Sequence, residues 1–230
     1  MATRVIQNEL LAAMPRKAYE ALAPALVPVS LAFGHVVYAA DAPIAQVYFP
    51  CESMVSLLVP VESHFDVEVG LVGREGMLGA SLALGIARSP VKALVQGAGA
   101  ALSLSAARFR RELAQNPDLQ RSVNRYVHSL MQQITQTAAC NRFHVVEARL
   151  ARWLLMTRDR MRSPSFRMTH EFLSHMLGVR RVGVTEAASS LQRQKLIEYT
   201  RGKIRILDAI GLEKACCGCY GILKPARFTI

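Results

Sequence analysis

The sequence predicts an α+β protein in which an antiparallel β-domain is followed by a long helix and by a helix-turn-helix with a β-wing. Three observations predict this order. Hydrophobic residues alternate with period two from residue 26 to about residue 105. The period becomes helical after Ser105. Residues 169–206 then contain two short helical patterns separated by a glycine and followed by two short strand patterns.

Seven runs of alternating residues make up the N-terminal domain. In FDVEVGLV, Asp66, Glu68 and Gly70 alternate with apolar residues, which predicts one polar and one apolar face. Parallel strands would need helical crossovers, and none separates these runs, so we predict an antiparallel sandwich or barrel. The seven runs are VPVSLAF, HVVYA, AQVYFP, SMVSLLVPV, FDVEVGLV, VKALVQ and AALSLS.

A long helix with one apolar stripe is predicted from Pro117 to about Thr137. Apolar residues recur there every three or four positions. The sheet can cover part of the stripe, and a two-fold related helix would cover the rest, so we predict a homodimer. Packing of the whole stripe within one chain is the alternative. The residues assigned to the dimer helix are Val123, Tyr126, Val127, Leu130 and Ile134. A further helix is expected from about 144 to 161, followed by the basic loop RDRMRSPSFRM.

Residues 169–197 have the pattern of a helix-turn-helix. Thr169 is a suitable N-cap, Gly178 supplies the left-handed residue that ends the first helix, and the second helix begins by Arg181. Small alanines at 187 and 188 allow the two helices to cross closely. The segment LIEYTRGKIRIL then predicts a two-stranded wing whose tip is Arg-Gly-Lys.

The N-terminal half of the second helix is the predicted base-reading surface. Its polar face is expected to point away from the core, and in a recognition helix this half reaches base edges in the major groove. A compact helical hairpin without a role in DNA binding is the alternative. The residues predicted to read bases are Arg180, Arg181, Val182, Thr185 and Glu186, with Ser189 on the same face.

Charge is distributed unevenly along the chain. The formal net charge is +11; residues 1–139 hold 11 basic and 10 acidic residues, whereas residues 140–230 hold 17 and 7. This asymmetry favours a polyanionic partner for the C-terminal part, nucleic acid first and an anionic membrane second, over charge that serves solubility alone. The longest uncharged run, residues 21–40, contains two prolines and alternates like a strand, so no membrane span is predicted.

Five cysteines, three of them in the C-terminal CCGC, do not suggest a disulfide framework, and a reducing cytoplasm is expected. CCGC lacks a second ligand pair at zinc-finger spacing, so we predict no metal site and interpret these thiols as buried or incidental. A thiol-redox sensor is the alternative use of the cluster. The motifs of hydrolases, nucleotide-binding enzymes and metalloproteases are missing from the sequence, so an enzyme is not predicted.

The order of these elements resembles the Crp/Fnr superfamily of bacterial transcription regulators, and the resemblance covers nearly the whole chain. The resemblance implies an N-terminal antiparallel, jelly-roll-like β-roll of cyclic-nucleotide-binding type in 1–115, a long dimerisation helix in 116–142 and a winged helix-turn-helix in 143–230. It also implies a homodimer that binds a two-fold symmetric operator in double-stranded DNA, with RNA polymerase as an expected partner. The matching segments are NELLAAMP, VVYAADAPIAQVYFP, VGREGMLGASLALG with RSP, MLGVRRVGVTEAASSLQRQKLI and KIRILDAIGLEKACCGCY.

The resemblance assigns roles within the DNA-binding domain. An arginine at the position of Arg181 reads a base in the family. Val182 and Glu186 stand where the best-known members carry a glutamate and a second arginine, so the operator is expected to differ from theirs. Contacts to DNA phosphates are expected from Thr169, Ser189, Arg201 and Lys203.

Gly79, Ala80, Arg88 and Ser89 correspond to the cyclic-nucleotide pocket of relatives. Ala80 stands where those relatives carry the glutamate that accepts a hydrogen bond from the ribose, and the proline after Ser89 has no N–H to donate. No tight binding of cyclic AMP is therefore expected. A regulator gated by another small molecule in the β-roll stays an alternative.

No metal cofactor is expected either. Iron–sulfur members of the superfamily carry a cysteine cluster near the N-terminus, and residues 1–50 contain no cysteine. His35 and His64 are the candidate axial ligands for a haem, and we interpret both as structural histidines.

Overall fold

A computed structural model describes residues 7–62 and 66–223 of the chain; His64 lies outside them. The chain divides into two compact units. Among the described residues, the first unit contains 7–58 and 70–132, and the second contains 59–62, 66–69 and 133–223. A helix that starts in the first unit ends in the second, so the division falls inside a helix rather than in a loop.

Within residues 7–62 and 66–115 the structure has two short helices, seven strands and a third helix. All seven predicted runs form strands. Their bounds are α1 Glu9–Ala13, α2 Arg16–Leu22, β1 Val27–Leu31, β2 Val36–Tyr38, β3 Gln46–Pro50, β4 Met54–Val59, β5 Val67–Val72, β6 Lys92–Gly97, β7 Gly99–Ser105 and α3 Ala106–Gln115, with short 3₁₀ turns at Ala23–Ala25 and Ala80–Leu84.

These strands form two sheets, with orders β1-β7-β3 and β2-β6-β4-β5. β7 pairs antiparallel with β1 and β3, and β6 pairs antiparallel with β2 and β4. Alternation places Val47, Phe49 and Val95 in the core, each with no exposed surface. Phe109 of α3 meets Phe49 edge to face, with 6.5 Å between the ring centroids.

Gly76 of the GREG segment permits close packing of the long helix that follows. A Cβ at Gly76 would lie 2.6 Å from Cζ of Tyr126, closer than any real contact. The Tyr126 hydroxyl donates a 2.9 Å hydrogen bond to the carbonyl of Met77. The glycines of this segment therefore do more than form turns, since Gly79 adopts a left-handed φ of 84° while Gly76 makes room for an aromatic ring.

Gly76→Ala is expected to destabilise the chain by about 1–3 kcal/mol, because the added methyl overlaps the Tyr126 ring and the ring is held by its hydrogen bond. Denaturant unfolding measures the change. Gly221→Ala is the matched control, since a Cβ at Gly221 meets nothing within 4 Å. Equal stability of the two variants would contradict this account of Gly76.

The long helix α4 runs from Pro117 to Phe143 and has 27 residues. It extends past the predicted end near Thr137. Leu119 and Val123 have no exposed surface, and Tyr126 is buried. Val127, Leu130 and Ile134 are only half-buried, and Met131 between them is 60% exposed. One chain therefore covers the first part of the apolar stripe and leaves the rest partly open to solvent.

Between residues 144 and 223 the structure has five helices and a third sheet, which has three strands. Their bounds are α5 Val146–Met161, β8 Ser165–Arg167, α6 His170–Leu177, α7 Arg181–Arg193, β9 Ile197–Thr200, β10 Lys203–Ile206, α8 Ala209–Ala215 and α9 Cys219–Leu223. The sheet order is β8-β10-β9. Helix α5 ends at Met161, as predicted, but the loop predicted at RDRMRSPSFRM is wrong in part, because Ser165–Arg167 forms a strand that pairs antiparallel with β10.

Glu68 is a second difference from the sequence prediction, because it is 6% exposed rather than on a solvated polar face. Its carboxylate accepts a 2.8 Å hydrogen bond from Nε1 of Trp153 on α5. A buried indole N–H needs an acceptor, and this carboxylate supplies one. The predicted fold class, with an antiparallel sheet region, a long helix and a winged helix-turn-helix, is confirmed.

Candidate nucleic-acid interface

The helix-turn-helix is built from local signals that the sequence carries. Thr169 caps α6, since its hydroxyl accepts a 3.1 Å hydrogen bond from the Phe172 amide. Gly178 ends α6 in a left-handed conformation with a φ of 59°, and its amide donates to the carbonyl of His175. The chain then turns directly into α7, whose first residue is Arg181.

Helix α7 is amphipathic. Its inner face packs on α5 and α6 and consists of Val184, Ala187, Ala188 and Leu191, none more than 5% exposed. The residues that we predicted to read bases lie on the outward face of α7 or, for Arg180, at its N-cap. Arg180, Arg181, Val182, Thr185 and Glu186 are exposed, as is Ser189. Val182 is 60% exposed, which leaves an apolar side chain in solvent between two arginines and a threonine.

The wing turns through two residues with positive φ. Arg201 has a φ of 48° and Gly202 a φ of 75°, as a two-residue hairpin with type I′ geometry requires. The amide of Met168 donates a 2.7 Å hydrogen bond to the carbonyl of Gly202. A Cβ at Gly202 would lie 3.6 Å from Cγ2 of Thr169. The start of α6 and the tip of the wing are therefore adjacent.

Three of the four predicted phosphate contacts meet at this junction. Thr169, Arg201 and Lys203 are exposed there, and Lys203 is the cross-strand neighbour of Arg167 on β8. Arg167 is exposed as well and was not among the predicted site residues. Its pairing with the wing was missed because β8 was predicted as loop. The fourth predicted contact, Ser189, lies on the outward face of α7.

His170 contacts both α7 and the wing, and sequence reasoning missed these contacts. Its Nδ1 lies 3.0 Å from Oγ1 of Thr185, and its ring stacks on Tyr199 of β9 with 4.2 Å between centroids. The Thr185 hydroxyl donates to the carbonyl of Arg181, so the His170 contact requires a proton on Nδ1. Burial and then the charge of Arg181 lower the pKa of His170. The ring thus joins α6, α7 and the wing, and its lowered pKa favours the neutral form.

The residues of the predicted effector pocket lie in the N-terminal unit and are occupied by internal contacts. Arg88 forms a two-pronged ion pair with Asp41, with nitrogen–oxygen distances of 2.7 and 3.2 Å, and this pair lowers the pKa of Asp41. The Ser89 hydroxyl donates to the carbonyl of Val91 at 2.7 Å. Ala80 is buried and begins the 3₁₀ turn that follows Gly79.

A group of metal-ligand side chains lies away from the interface. Cys217 and Cys219 of CCGC come together with Cys140 and His144 from the end of α4, and the four ligand atoms all lie within 4.8 Å of one another. CCGC has no second ligand pair at zinc-finger spacing, as the sequence indicated, but the fold brings a distant pair of ligand type to it. Cys140 and His144 lie 73 residues or more upstream of Cys217, so this pair could not be recognised from motif spacing.

None of the helices within residues 7–62 and 66–223 is long and apolar enough to cross a membrane.

Residues 148–215 match the family model of the Crp-like helix-turn-helix domain. A comparison with curated proteins gives no match.

Several solved structures share the fold. A transcriptional regulator of the Crp/Fnr family from Eubacterium rectale has a TM-score of 0.70 and 14% identity, over 91% of this chain and 98% of that chain. FixK2 from Bradyrhizobium japonicum has a TM-score of 0.71 and 12% identity, over 84% and 98%. The c-di-GMP responsive global regulator CLP from Xanthomonas campestris has a TM-score of 0.66 and 15% identity, over 84% and 99%. The predicted resemblance to the Crp/Fnr superfamily is confirmed.

Proposed function

We propose that this chain, which has the fold and the helix-turn-helix domain of the Crp/Fnr superfamily, is a sequence-specific DNA-binding transcription regulator that acts as a homodimer. The observation that carries the proposal is the exposed face of α7, with Arg180, Arg181 and Thr185 on one surface. Side chains in this half of a recognition helix reach base edges when the helix enters a major groove. RNA polymerase is the protein that such a dimer recruits or excludes at a promoter.

The charge of the interface supports DNA as the ligand. Basic residues outnumber acidic residues 17 to 7 in residues 140–230. Arg167, Arg201 and Lys203 are exposed around the wing, where the chain can meet phosphates on either side of a groove. Phosphate contacts supply affinity that is independent of sequence, and α7 supplies discrimination between bases.

The half-buried part of α4 supports a dimer. Val127, Leu130, Met131 and Ile134 recur at three- and four-residue spacing, so they share one face of the helix. A second copy of the helix, related by a two-fold axis, would cover this face as in a coiled-coil seam. The two helix-turn-helix domains of the dimer then face the two half-sites of a symmetric operator.

Competition gel shifts at physiological salt test the proposed function. A duplex recovered from a randomised pool by binding should resist competition by bulk unrelated DNA, because specific sites bind typically about 10³–10⁷-fold more tightly than non-specific DNA. If every duplex is displaced equally, the chain is not a sequence-specific regulator.

Lys203→Ala is expected to weaken binding to all sequences by the same factor. Each phosphate contact contributes about 0.9 to the slope of log K against log salt, so a dimer that loses two contacts should lose about 1.8 from that slope. Fluorescence anisotropy over a salt series measures the slope. Lys17→Ala, an exposed lysine on α2, is the control and should leave the slope unchanged. A change in base preference would argue that Lys203 reads bases instead.

The proposed regulator works without cyclic AMP. Three features support this. The Ala80 side chain has no hydrogen-bond acceptor for a ribose hydroxyl. The Arg88 guanidinium is paired with the Asp41 carboxylate, and the Ser89 hydroxyl donates a hydrogen bond to the Val91 carbonyl. A nucleotide would have to break the last two contacts to bind. Isothermal titration calorimetry should therefore detect no cyclic AMP binding at micromolar concentrations, and operator affinity should not change when it is added. Micromolar binding would favour the ligand-gated alternative.

A further inference from the structure

Four side chains at the end of α4 and in the C-terminal segment form a cluster of metal-ligand type. Cys140 lies in the last turn of α4, and His144 follows the end of that helix. Cys217 lies between α8 and α9, and Cys219 is the first residue of α9. Their sulfur and imidazole nitrogen atoms all lie within 4.8 Å of one another. We call this set the Cys₃His cluster.

The spacing within the cluster fits a single tetrahedral ion. Bonds of about 2.0–2.3 Å to zinc place tetrahedral ligand atoms roughly 3.3–3.8 Å apart. The Cys140 and Cys217 sulfur atoms are 3.5 Å apart, and the Cys219 sulfur is 3.5 Å from Nδ1 of His144. Ligands of an iron–sulfur cluster bind different iron atoms and lie farther apart, so one ion fits this geometry better.

Local structure explains why these residues converge. Cys140 and His144 are four residues apart, and the amide of His144 still donates to the Cys140 carbonyl, so the two side chains face the same way. Cys140, Cys217 and Cys219 are buried, whereas His144 is exposed. Three sulfur ligands are therefore shielded, and the imidazole is the ligand through which the site meets solvent.

Two buried arginines lie beside the cluster without a carboxylate partner. Arg149 and Arg152 of α5 are 5% and 3% exposed, and within the described residues neither forms an ion pair with a carboxylate. The Nε atoms of both lack a hydrogen-bond partner. Each guanidinium interacts electrostatically with both Cys140 and Cys217.

Burying two unpaired cations is costly unless a negative charge lies nearby. Three thiolates and a neutral imidazole around a divalent ion carry a net charge of −1, which would offset part of the arginine charge. Binding releases the three thiol protons to solvent. The charge of the two arginines would therefore favour the thiolate form of the cysteines, which is the form that binds a metal ion.

A hydrogen bond to a ligand sulfur completes the site. Nε2 of Gln136 donates to the Cys219 sulfur at 3.0 Å, the kind of outer contact that orients a metal ligand. Cys216, in contrast, donates its thiol to the carbonyl of Glu213 at 3.1 Å and lies outside the cluster. The chain therefore separates three ligand cysteines from a neighbouring cysteine that is not a ligand.

We propose that Cys140, His144, Cys217 and Cys219 bind one zinc ion, which fastens the segment from α8 to α9 onto the end of α4. Zinc is the expected ion because three thiolates and one imidazole in a tetrahedron are a common structural zinc set. The site adds to the proposed regulator function and does not depend on it.

Metal analysis of the full-length chain tests the proposal. Protein purified under reducing conditions, stripped with a chelator and reconstituted with zinc chloride should retain about one zinc per chain after desalting. Cys217→Ser and Cys140→Ser should each lose most of this zinc. Cys216→Ser is the matched control and should retain it. Equal zinc in Cys216→Ser and Cys217→Ser would overturn the proposal, as would wild-type protein that retains no zinc.

Cobalt substitution reports the ligand set directly. Co²⁺ bound to the stripped chain should give a thiolate-to-metal charge-transfer band and intense visible bands typical of tetrahedral coordination, and both should weaken in Cys219→Ser. Gln136→Ala keeps all four ligands and should lower metal affinity by about 10–100-fold without changing the spectrum. This variant tests the site without removing a core thiol, and circular dichroism of every variant checks that the chain is folded.

Formation of a Cys140–Cys217 disulfide is the competing use of the same atoms. Mass spectrometry of the reduced protein, exposed to air with and without bound zinc, distinguishes a zinc site from a disulfide pair. Zinc should protect both thiols from oxidation and from alkylation. If the disulfide forms equally fast with and without zinc, the cluster is a redox pair and the metal proposal is wrong.

Discussion

Leu130→Glu is expected to convert the proposed dimer to monomers and to weaken operator binding by roughly 10²–10⁴-fold, the gain that linking two binding modules usually provides. Leu130 is half-buried in one chain, on the open part of the α4 stripe. Two-fold symmetry would bring the substituted carboxylates of both chains into one apolar seam. The substitution should therefore break the seam while one chain stays folded, because Leu119 and Val123 form the buried, intrachain part of the helix.

Sedimentation velocity and gel shifts on the same preparation measure this effect. Gln132→Glu adds the same charge two residues away, on the side of α4 opposite the open stripe, and Gln132 is exposed. That variant should stay dimeric and bind DNA. A Leu130→Glu protein that sediments as a dimer would show that the dimer seam lies elsewhere.

Arg181→Ala is expected to relax base preference at one position of each half-site. A bidentate arginine–guanine contact contributes about 1–3 kcal/mol of discrimination, which corresponds to roughly 5–150-fold in relative affinity. Arg181 is the first residue of α7 and is exposed. Its loss should lower affinity for the preferred site and leave affinity for unrelated DNA nearly unchanged.

Competitive binding to a set of operators with single base changes measures this preference. Arg110→Ala removes an exposed arginine from α3 and should change neither affinity nor preference. Unaltered preference in Arg181→Ala would show that α7 does not read bases through this residue. A uniform loss over all sequences would instead assign Arg181 to the DNA backbone.

Periodicity predicted the elements whose partners are close in sequence. The strand runs and the α6–α7 pair follow from alternation, from the Thr169 cap and from the left-handed glycine at 178, because each signal lies within a few residues of the structure it forms. Periodicity alone ended α4 six residues too early, whereas the resemblance placed the end at 142, one residue before Phe143. The segment Ala138–Phe143 carries little apolar pattern, but its cysteine at 140 is buried by contacts from the distant C-terminal segment.

Features that depend on distant partners were not predictable. Ser165–Arg167 has no strand pattern of its own and becomes a strand because β10 offers an unpaired edge. Glu68 is buried because a tryptophan on α5 needs an acceptor. The Cys₃His cluster joins two ligand pairs separated by more than 70 residues, and no local spacing rule connects them. His170 likewise gains its role from Thr185 and Tyr199, which only the folded chain brings to it.

Selection of bound duplexes from random DNA, followed by sequencing, tests the central claim most directly. A homodimer that presents two copies of α7 predicts an enriched site with two-fold symmetry. Its half-sites should be centred about one helical turn apart, roughly 10 base pairs or a multiple of that. Arg181→Ala should enrich a site that has lost one conserved base pair in each half. Enrichment of no sequence, or of an asymmetric site unaffected by Arg181→Ala, would contradict the account.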